Sequence, residues 1–431
     1  MAISWRVPLL LAVGAVAVGL WPRGVVAVAW VAVVLLACAV DLIAAASPRR
    51  IGLTRDVPPA VRLTETAQTT LTLMNTASGR TARLVVRDAW EPGAGAPERR
   101  VRVRIPGGQG RRLRTPLTPL RRGTRHAGPV TLRSFGPLGL AARQRTMSVP
   151  AEISVLPEFR SRRYLPYRLA RLRELDGRAS VRVRGQGTEF DSLREYEIGD
   201  DVRSIDWRAT ARGDKAVVRT WRPERDRRVV IVLDTSRWSA GRIGDATRLD
   251  AGIEAALLLG ALAAAGGDRV DLVAADRVTR AHVGPCSGPT AVAALSAGLA
   301  GVEPVLVEAD WTYLAARIRA VSRQRALVVL ITSTDPALVE DGLATVLDGL
   351  VRRHVVLVAT VRDPEEAELA RGREDADAVY LAAAAERREL TLQGMEAQLR
   401  ARGAHTVDGG LDTLAPAVAD AYLTLKAAGQ L

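Results

Sequence analysis

Between Gly185 and Ser239 the chain gathers most of the side chains that could carry chemistry. Three aspartates, Asp200, Asp201 and Asp206, lie close in sequence to Arg194, Glu195, Arg203 and Arg212. Carboxylates at this spacing can hold a metal ion or exchange protons, which is the chemistry of a metal-dependent hydrolase. The same spacing suits arginine–carboxylate forks, which fix geometry and perform no reaction. Neither a nucleophile nor a metal-binding histidine accompanies the acids, and His126, His282, His354 and His405 are scattered. The weight falls on a docking network, with hydrolysis by Asp200, Asp201 and Asp206 as the alternative.

Just beyond this cluster an apolar run, Val229 to Leu233, ends in Asp234-Thr235-Ser236. A buried strand with polar residues at its carboxyl end is where an open α/β sheet holds a ligand.

Phe190, Leu193, Arg194, Glu195, Tyr196, Gly199, Asp200, Asp201, Arg203, Ile205, Asp206, Trp207, Ala211 and Arg212 form a block. The block resembles that of the bacterial family called "domain of unknown function 58", in which it leads into a von Willebrand factor type A domain. The resemblance implies a divalent-cation site at the carboxyl edge of that domain's sheet, with the pattern Asp-x-Ser-x-Ser, a distant Thr and a distant Asp. Asp234 and Ser236 match it, Thr290 and Asp335 are the candidates for the distant ligands, and Trp238 stands where the second Ser belongs. Hard cations take oxygen ligands, so a site lacking one of them is degenerate and at best weak for magnesium. Trp238 is instead a candidate partner contact. The resemblance also implies a protein partner, a MoxR-type AAA+ ATPase.

Positioning these residues takes several elements. Residues 7 to 46 are almost wholly apolar around Trp21-Pro22-Arg23-Gly24, with Arg23 and Asp41 the charges inside. Two segments, 3–21 and 24–43, approach the ~20 residues of a bilayer span. Arg6 before them and Arg49, Arg50 and Arg55 after them predict a hairpin with both ends in the cytoplasm. The competing reading is a signal peptide followed by one anchor, which would put the rest outside as a structural envelope protein. Residues 51–157 alternate in short runs, such as Thr70-Leu71-Thr72-Leu73 and Val101-Arg102-Val103-Arg104-Ile105, which predicts a small β-sandwich. Residues 229–431 alternate apolar strands with amphipathic helices, predicting a parallel sheet covered on both faces. The expected organisation is a transmembrane hairpin (1–46), a β-sandwich (51–157), a connecting block (158–228) and a doubly wound, von Willebrand factor type A-like α/β domain (229–431). Within the connecting block, a helix over 164–176 and a strand with a glycine turn over 178–187 are expected.

The net charge is +14, and Lys215 and Lys426 are the only lysines. Such a balance favours anionic surfaces. Ten arginines crowd residues 99 to 125. Solvated strand edges, then anionic lipid, account for them before nucleic acid does, because the patch lacks aromatic stacking platforms. Cys38 and Cys286 make no disulfide framework, and common nucleotide, zinc-protease and serine-hydrolase motifs are absent. The expectation is a membrane-anchored protein-interaction module rather than an enzyme.

Overall fold

The structure is a computed structural model that describes residues 2–77, 79–182, 189–197, 200–211, 213, 215–222 and 227–431. The chain divides into two compact units, Met1–Glu158 and Phe159–Leu431.

In the first unit, α1 (Arg6–Leu20) and α2 (Gly24–Ala44) form an antiparallel pair. The Trp30 indole lies over Gly14, where an added Cβ would meet the ring at 2.1 Å, and donates to the Leu10 carbonyl at 2.9 Å. Among the described residues, one helical segment, Gly24–Arg50, is long and apolar enough to cross a membrane, with a mean hydropathy of 2.7. By contrast, α1 has 15 residues. At 1.5 Å per residue it reaches about 22 Å, short of a hydrocarbon core of about 30 Å.

Asp41, a charge inside the apolar run, has a clear role. Its carboxylate is fully buried and accepts the backbone N–H groups of Leu138, Leu140 and Ala141 at 2.8, 2.7 and 2.9 Å. Gly136 leaves room for it, since a Cβ there would lie 2.1 Å from the carboxylate. Arg143 adds a bond to the Leu42 carbonyl at 2.9 Å, and Arg6 one to the Leu138 carbonyl at 2.9 Å. The end of α2 is thereby tied to the β-structure that follows.

That β-structure is a sandwich of two sheets. One contains β1 (Ile51–Asp56), β2 (Ala67–Asn75) and β5 (Gly110–Leu117) in the order β1-β2-β5. The other is built on the long strand β6 (Gly123–Phe135), with β3 (Ala82–Trp90), β4 (Arg100–Ile105), β7 (Ala141–Met147) and β8 (Glu152–Leu156). Short pairings by Ala2–Ile3 and Ala60–Arg62 extend it. Alternate residues, Leu71, Leu73, Leu84, Val86, Val130 and Leu132, fill the core between the sheets. Arg55, counted from the sequence among the cations flanking the membrane segment, is not free. It is buried, ion-paired with Asp88 and stacked 5.3 Å from the Trp90 ring.

The second unit opens with a 3₁₀ turn and α3 (Leu165–Arg182). The helix runs on through Arg178–Arg182, where a strand was expected, and 183–188 lie outside the described residues. The hairpin β9 (Glu189–Glu195) and β10 (Val217–Arg222) follows as a separate two-stranded sheet.

The main sheet has six strands: β11 (Arg228–Asp234), β12 (Arg269–Ala275), β13 (Thr279–Cys286), β14 (Leu327–Thr332), β15 (Val355–Val361) and β16 (His405–Gly409). Their order is β13-β12-β11-β14-β15-β16, a doubly wound arrangement whose direction of winding switches between β11 and β14. The sheet is mixed, not all parallel. β13 pairs antiparallel with β12, through a tight connection at Asp276–Val278. Its exposed alternate residues kept it from reading as a buried strand.

Every residue of β14 and β15 is buried, because helices cover both faces. Val229, Ile231 and Leu233 face α4 (Arg248–Ala265), α5 (Ala291–Leu299) and α9 (Leu414–Ala427), while Val230 and Val232 face α6 (Trp311–Val321), α7 (Ala344–Val351) and α8 (Ala376–Ala401). A Thr247–Asp250 capping box starts α4, and the helix is apolar nearly all round because it is central. Gly252 brings it close to the sheet, where a Cβ would meet Leu233 at 2.8 Å. The helical stretch that ends in α7 contains a π-helical segment, Val339–Leu343.

Candidate functional site

Parallel strands end together, so the carboxyl edge of the main sheet gathers Asp234 from β11, Asp276 after β12, Thr332 at the end of β14 and Ser333–Asp335 after it. Asp234 is buried. One carboxylate oxygen accepts the Ser236 N–H at 2.8 Å, and the other accepts the Thr332 hydroxyl at 2.7 Å. The Ser239 hydroxyl donates to the Asp234 carbonyl. Burial raises the Asp234 pKa above the ordinary carboxylate range, and the neutral donors offset this only in part.

Asp276 is held differently. It accepts the Thr235 hydroxyl at 2.8 Å, the Arg277 N–H at 2.6 Å and the Arg280 guanidinium at 2.7 Å. Burial pushes its pKa up, but Arg280, Thr235 and the amides outweigh it, and the net direction is down. The segment 301–310 crosses this edge. Val305 N–H donates to the Thr235 carbonyl, Arg237 N–H to the Val307 carbonyl, and Arg237 pairs with Glu308 at 2.7 Å.

The four residues expected to bind a cation do not come together. Asp234 and Ser236 are adjacent, and Asp335 lies on the same edge, where one oxygen caps Ala337 at 3.2 Å. Thr290 is at the opposite end. It follows Cys286, which pairs with Val270 near the start of β12, whereas Asp234 pairs with Ala275 at its finish. The strand length separates them by about 20 Å. The antiparallel turn of β13 is the reason, and an all-parallel reading hides it. Trp238 is half-buried against the core, with Arg237 stacked 5.0 Å over its ring, so it is not an exposed anchor.

A cleft of about 10 Å³ between Asp234, Trp238, Arg248 and Thr332 is about the room one water needs. Arg248 brings a positive charge to its wall. With both Asp234 oxygens engaged, Thr290 remote and a guanidinium lining the space, these residues do not fit a divalent cation with its water shell. Among the described residues no group of three His, Cys, Asp or Glu side chains could hold a metal. Buried polar atoms without a hydrogen-bond partner do collect here: Trp238 Nε1, Arg248 Nε and Thr334 Oγ1, together with Ser236 Oγ, which no well-aligned hydrogen bond reaches.

The acid-rich block is tied up within itself. Arg194 pairs with Asp200 at 2.5 Å, and Asp200 also accepts the Glu197 N–H at 3.0 Å. The Glu197 amide first and Arg194 second lower the Asp200 pKa. Asp201 accepts the Arg203 N–H at 3.0 Å, Glu195 pairs with Lys215 at 2.9 Å, and Tyr196 N–H joins the hairpin ladder at Ala216. Asp206 caps the turn Trp207–Thr210 through the Arg208 and Ala209 amides, both at 3.0 Å, and pairs with Arg219 at 2.8 Å. Those amides and Arg219 lower its pKa.

Asp206 thus pairs not with one of the arginines close to it in sequence but with Arg219, which β10 brings alongside. Gly199 and Arg212 lie outside the described residues. Trp207 does not pin the block to the main sheet. It is 67% exposed, and Val202 (58%) and Leu193 (46%) are also open. Each of these acids accepts at least one hydrogen bond or ion pair from within the block.

The block and the sheet are matched together by one family profile, described as a protein of unknown function, DUF58, over residues 192–408. The chain belongs to this family. The DUF58 match begins within β9 and ends in β16, leaving the helical pair and the sandwich outside it. Uncharacterized proteins of Mycobacterium tuberculosis and Mycobacterium bovis are 27% identical over 194 residues, or 43% of this chain. The match spans 59% of the length of these relatives. Among solved structures, the CARDB domain of the PF1109 protein of Pyrococcus furiosus matches 27% of this chain and 92% of its own length, at 12% identity and a TM-score of 0.20. Escherichia coli alpha-2-macroglobulin matches 25% of this chain and 7% of its own, at 13% identity and the same TM-score of 0.20.

The sequence left Asp276, Arg280, Thr332 and Arg248 unremarked. A signal was present for two of them, since Ala275-Asp276 and Ile331-Thr332 end apolar strands just as Leu233-Asp234 does.

Proposed function

We propose that this DUF58 protein is a membrane-anchored binding module, and that its hairpin block and adjoining α/β domain engage a protein partner. The observation that carries the reading is the exposure of Trp207, Val202 and Leu193 around the Asp206–Arg219 pair. An exposed tryptophan beside an arginine–carboxylate pair, with apolar neighbours around it, has the make-up of an interface hot spot. Strand order and the polar carboxyl edge support a von Willebrand factor type A-like assignment for the α/β domain, with a degenerate cation site. By family resemblance the partner is a MoxR-type AAA+ ATPase. The apolar α2 supports an anchor in the cell membrane, and the multi-pass hairpin is proposed with α1, too short for a full span by itself, entering the bilayer packed against α2. Arg49 and Arg50 at its exit support a cytoplasmic location for the soluble parts.

The engagement of Asp200 and Asp206 by arginines weighs against the hydrolase alternative. The test is binding of the purified full chain to a purified MoxR-type ATPase by surface plasmon resonance. Trp207→Ala should weaken binding at least tenfold, as hot-spot residues do. Equal binding by wild type and Trp207→Ala would discard this surface. Alkaline phosphatase fused to the carboxyl terminus reads the topology, and an active fusion would reverse it.

A further inference from the structure

Strand register assembles a surface that the run of arginines at 99–125 does not reveal. Arg83 stands directly opposite Arg104, and Arg87 opposite Arg100, across β3 and β4. Val85 stands opposite Arg102 on one side and Arg133 of β6 on the other. Directly paired residues share a face, so these six arginines pave the outer face of one sheet. Arg111, Arg112 and Arg114, close to them in sequence, belong to β5 in the other sheet.

The six charges are nearly uncompensated. Arg87 meets Glu98 at 3.6 Å, and Arg133 bonds Gln144 at 2.8 Å. The side chains of Arg83, Arg100, Arg102 and Arg104 have no ion-pair or hydrogen-bond partner among the described residues. Like charges directly opposite each other destabilise a sheet. Charge on β4 alone would be ordinary protection of an edge strand. Edge protection does not explain Arg83 and Arg87 on β3 or Arg133 on β6, which are interior strands.

We propose that this face binds the anionic phospholipid headgroups of the bilayer that α2 enters. The proposal rests on the membrane reading above. It draws on two features of the same compact unit: the apolar helix, and the Asp41 tie that holds the sandwich at the end of that helix. The attraction of an arginine to an anionic leaflet falls off within a Debye length, and the tie keeps the sandwich close. Val85 and Thr131, which lie on the same face among the six arginines, offer no aromatic platform for base stacking, which disfavours nucleic acid.

The full chain is placed in nanodiscs of phosphatidylcholine, alone or mixed with phosphatidylglycerol. Its arginines are modified with phenylglyoxal and read by peptide mass spectrometry. In the anionic discs, modification of the six arginines should slow by about fivefold at low salt and recover as salt is added. The combined variant Arg83→Gln, Arg102→Gln and Arg104→Gln should lose most of the protection at Arg87, Arg100 and Arg133. It should melt no lower than the wild type in detergent, because like-charge pairs have been removed. Equal rates in the two kinds of disc overturn the proposal. So does protection by a single-stranded oligonucleotide without protection by the anionic discs. A chain that fails to enter discs removes the anchor, and flotation with phosphatidylglycerol vesicles then decides the surface separately. Flotation that the triple variant loses keeps it, and no flotation overturns it.

Discussion

Two acid-bearing regions of the second unit use the same residue type to opposite ends. At the carboxyl edge of the main sheet, Asp234 is buried and held by neutral donors, and its pKa rises. In the hairpin block, Asp206 caps a turn near the surface, meets Arg219, and its pKa falls. The first arrangement locks a strand end under the chain that crosses it. The second holds a short turn in shape and leaves its aromatic neighbour outside. An acid-rich sequence is therefore not evidence of a reaction site until the partners of each acid are known.

The largest effect expected from breaking this contrast is at Asp234. Asp234→Ala orphans the Thr332 hydroxyl and the Ser236 N–H, and should cost about 3 kcal/mol in urea unfolding. Asp234→Asn keeps one acceptor and should cost less. A loss for Ala no greater than for Asn would mean that the two hydrogen bonds contribute little.

The neighbouring Asp276 sharpens the contrast through pH. Its folded pKa lies below the ordinary 3.8, so its contribution is present above that value and lost as pH falls through the folded pKa. Asp276→Asn should cost about 2 kcal/mol at neutral pH and progressively less below about pH 4. Asp234 has the opposite sign. Its folded pKa is raised, so wild type loses stability relative to Asp234→Asn as pH climbs from 3.8 towards the folded value. Unfolding midpoints of the two Asn variants against wild type, measured from pH 3 to 7 (roughly the range over which buried carboxylates titrate), should diverge in slope. Parallel slopes would contradict the assigned environments.

A smaller and local effect is expected at Asp206. Asp206→Ala should speed amide hydrogen exchange at Arg208 and Ala209 while leaving the global midpoint almost unchanged. A collapse of the whole domain would restore the docking role that the exposure of Trp207 argues against. The smallest effect concerns magnesium. Calorimetric titration should show no tight site in wild type. It should show none in Trp238→Ser either, because a new hydroxyl there brings neither Thr290 to the edge nor Arg248 away from it. Tight binding by either protein would break the comparison.

Much of the second unit was legible in the sequence because its signals are local. The helix over Arg248–Ala265 and the strands starting at Arg269, Leu327 and Val355 follow from unbroken apolar runs between turns. The apolar amino-terminal segment and the alternating runs of the sandwich were visible for the same reason. Periodicity reports which face of an element is buried, and it is silent on which elements become neighbours. Pairing across long stretches of chain decided that Thr290 sits at the wrong end of the sheet, that Asp276 and Thr332 join Asp234, and that Arg219 meets Asp206. It also set Arg83 against Arg104 and buried Arg55 with Asp88. The sequence by itself determined which segments bury their apolar surface, because that depends on neighbours within a few residues. The tertiary structure alone decided which charges meet, because strand order and register bring together residues far apart in the chain.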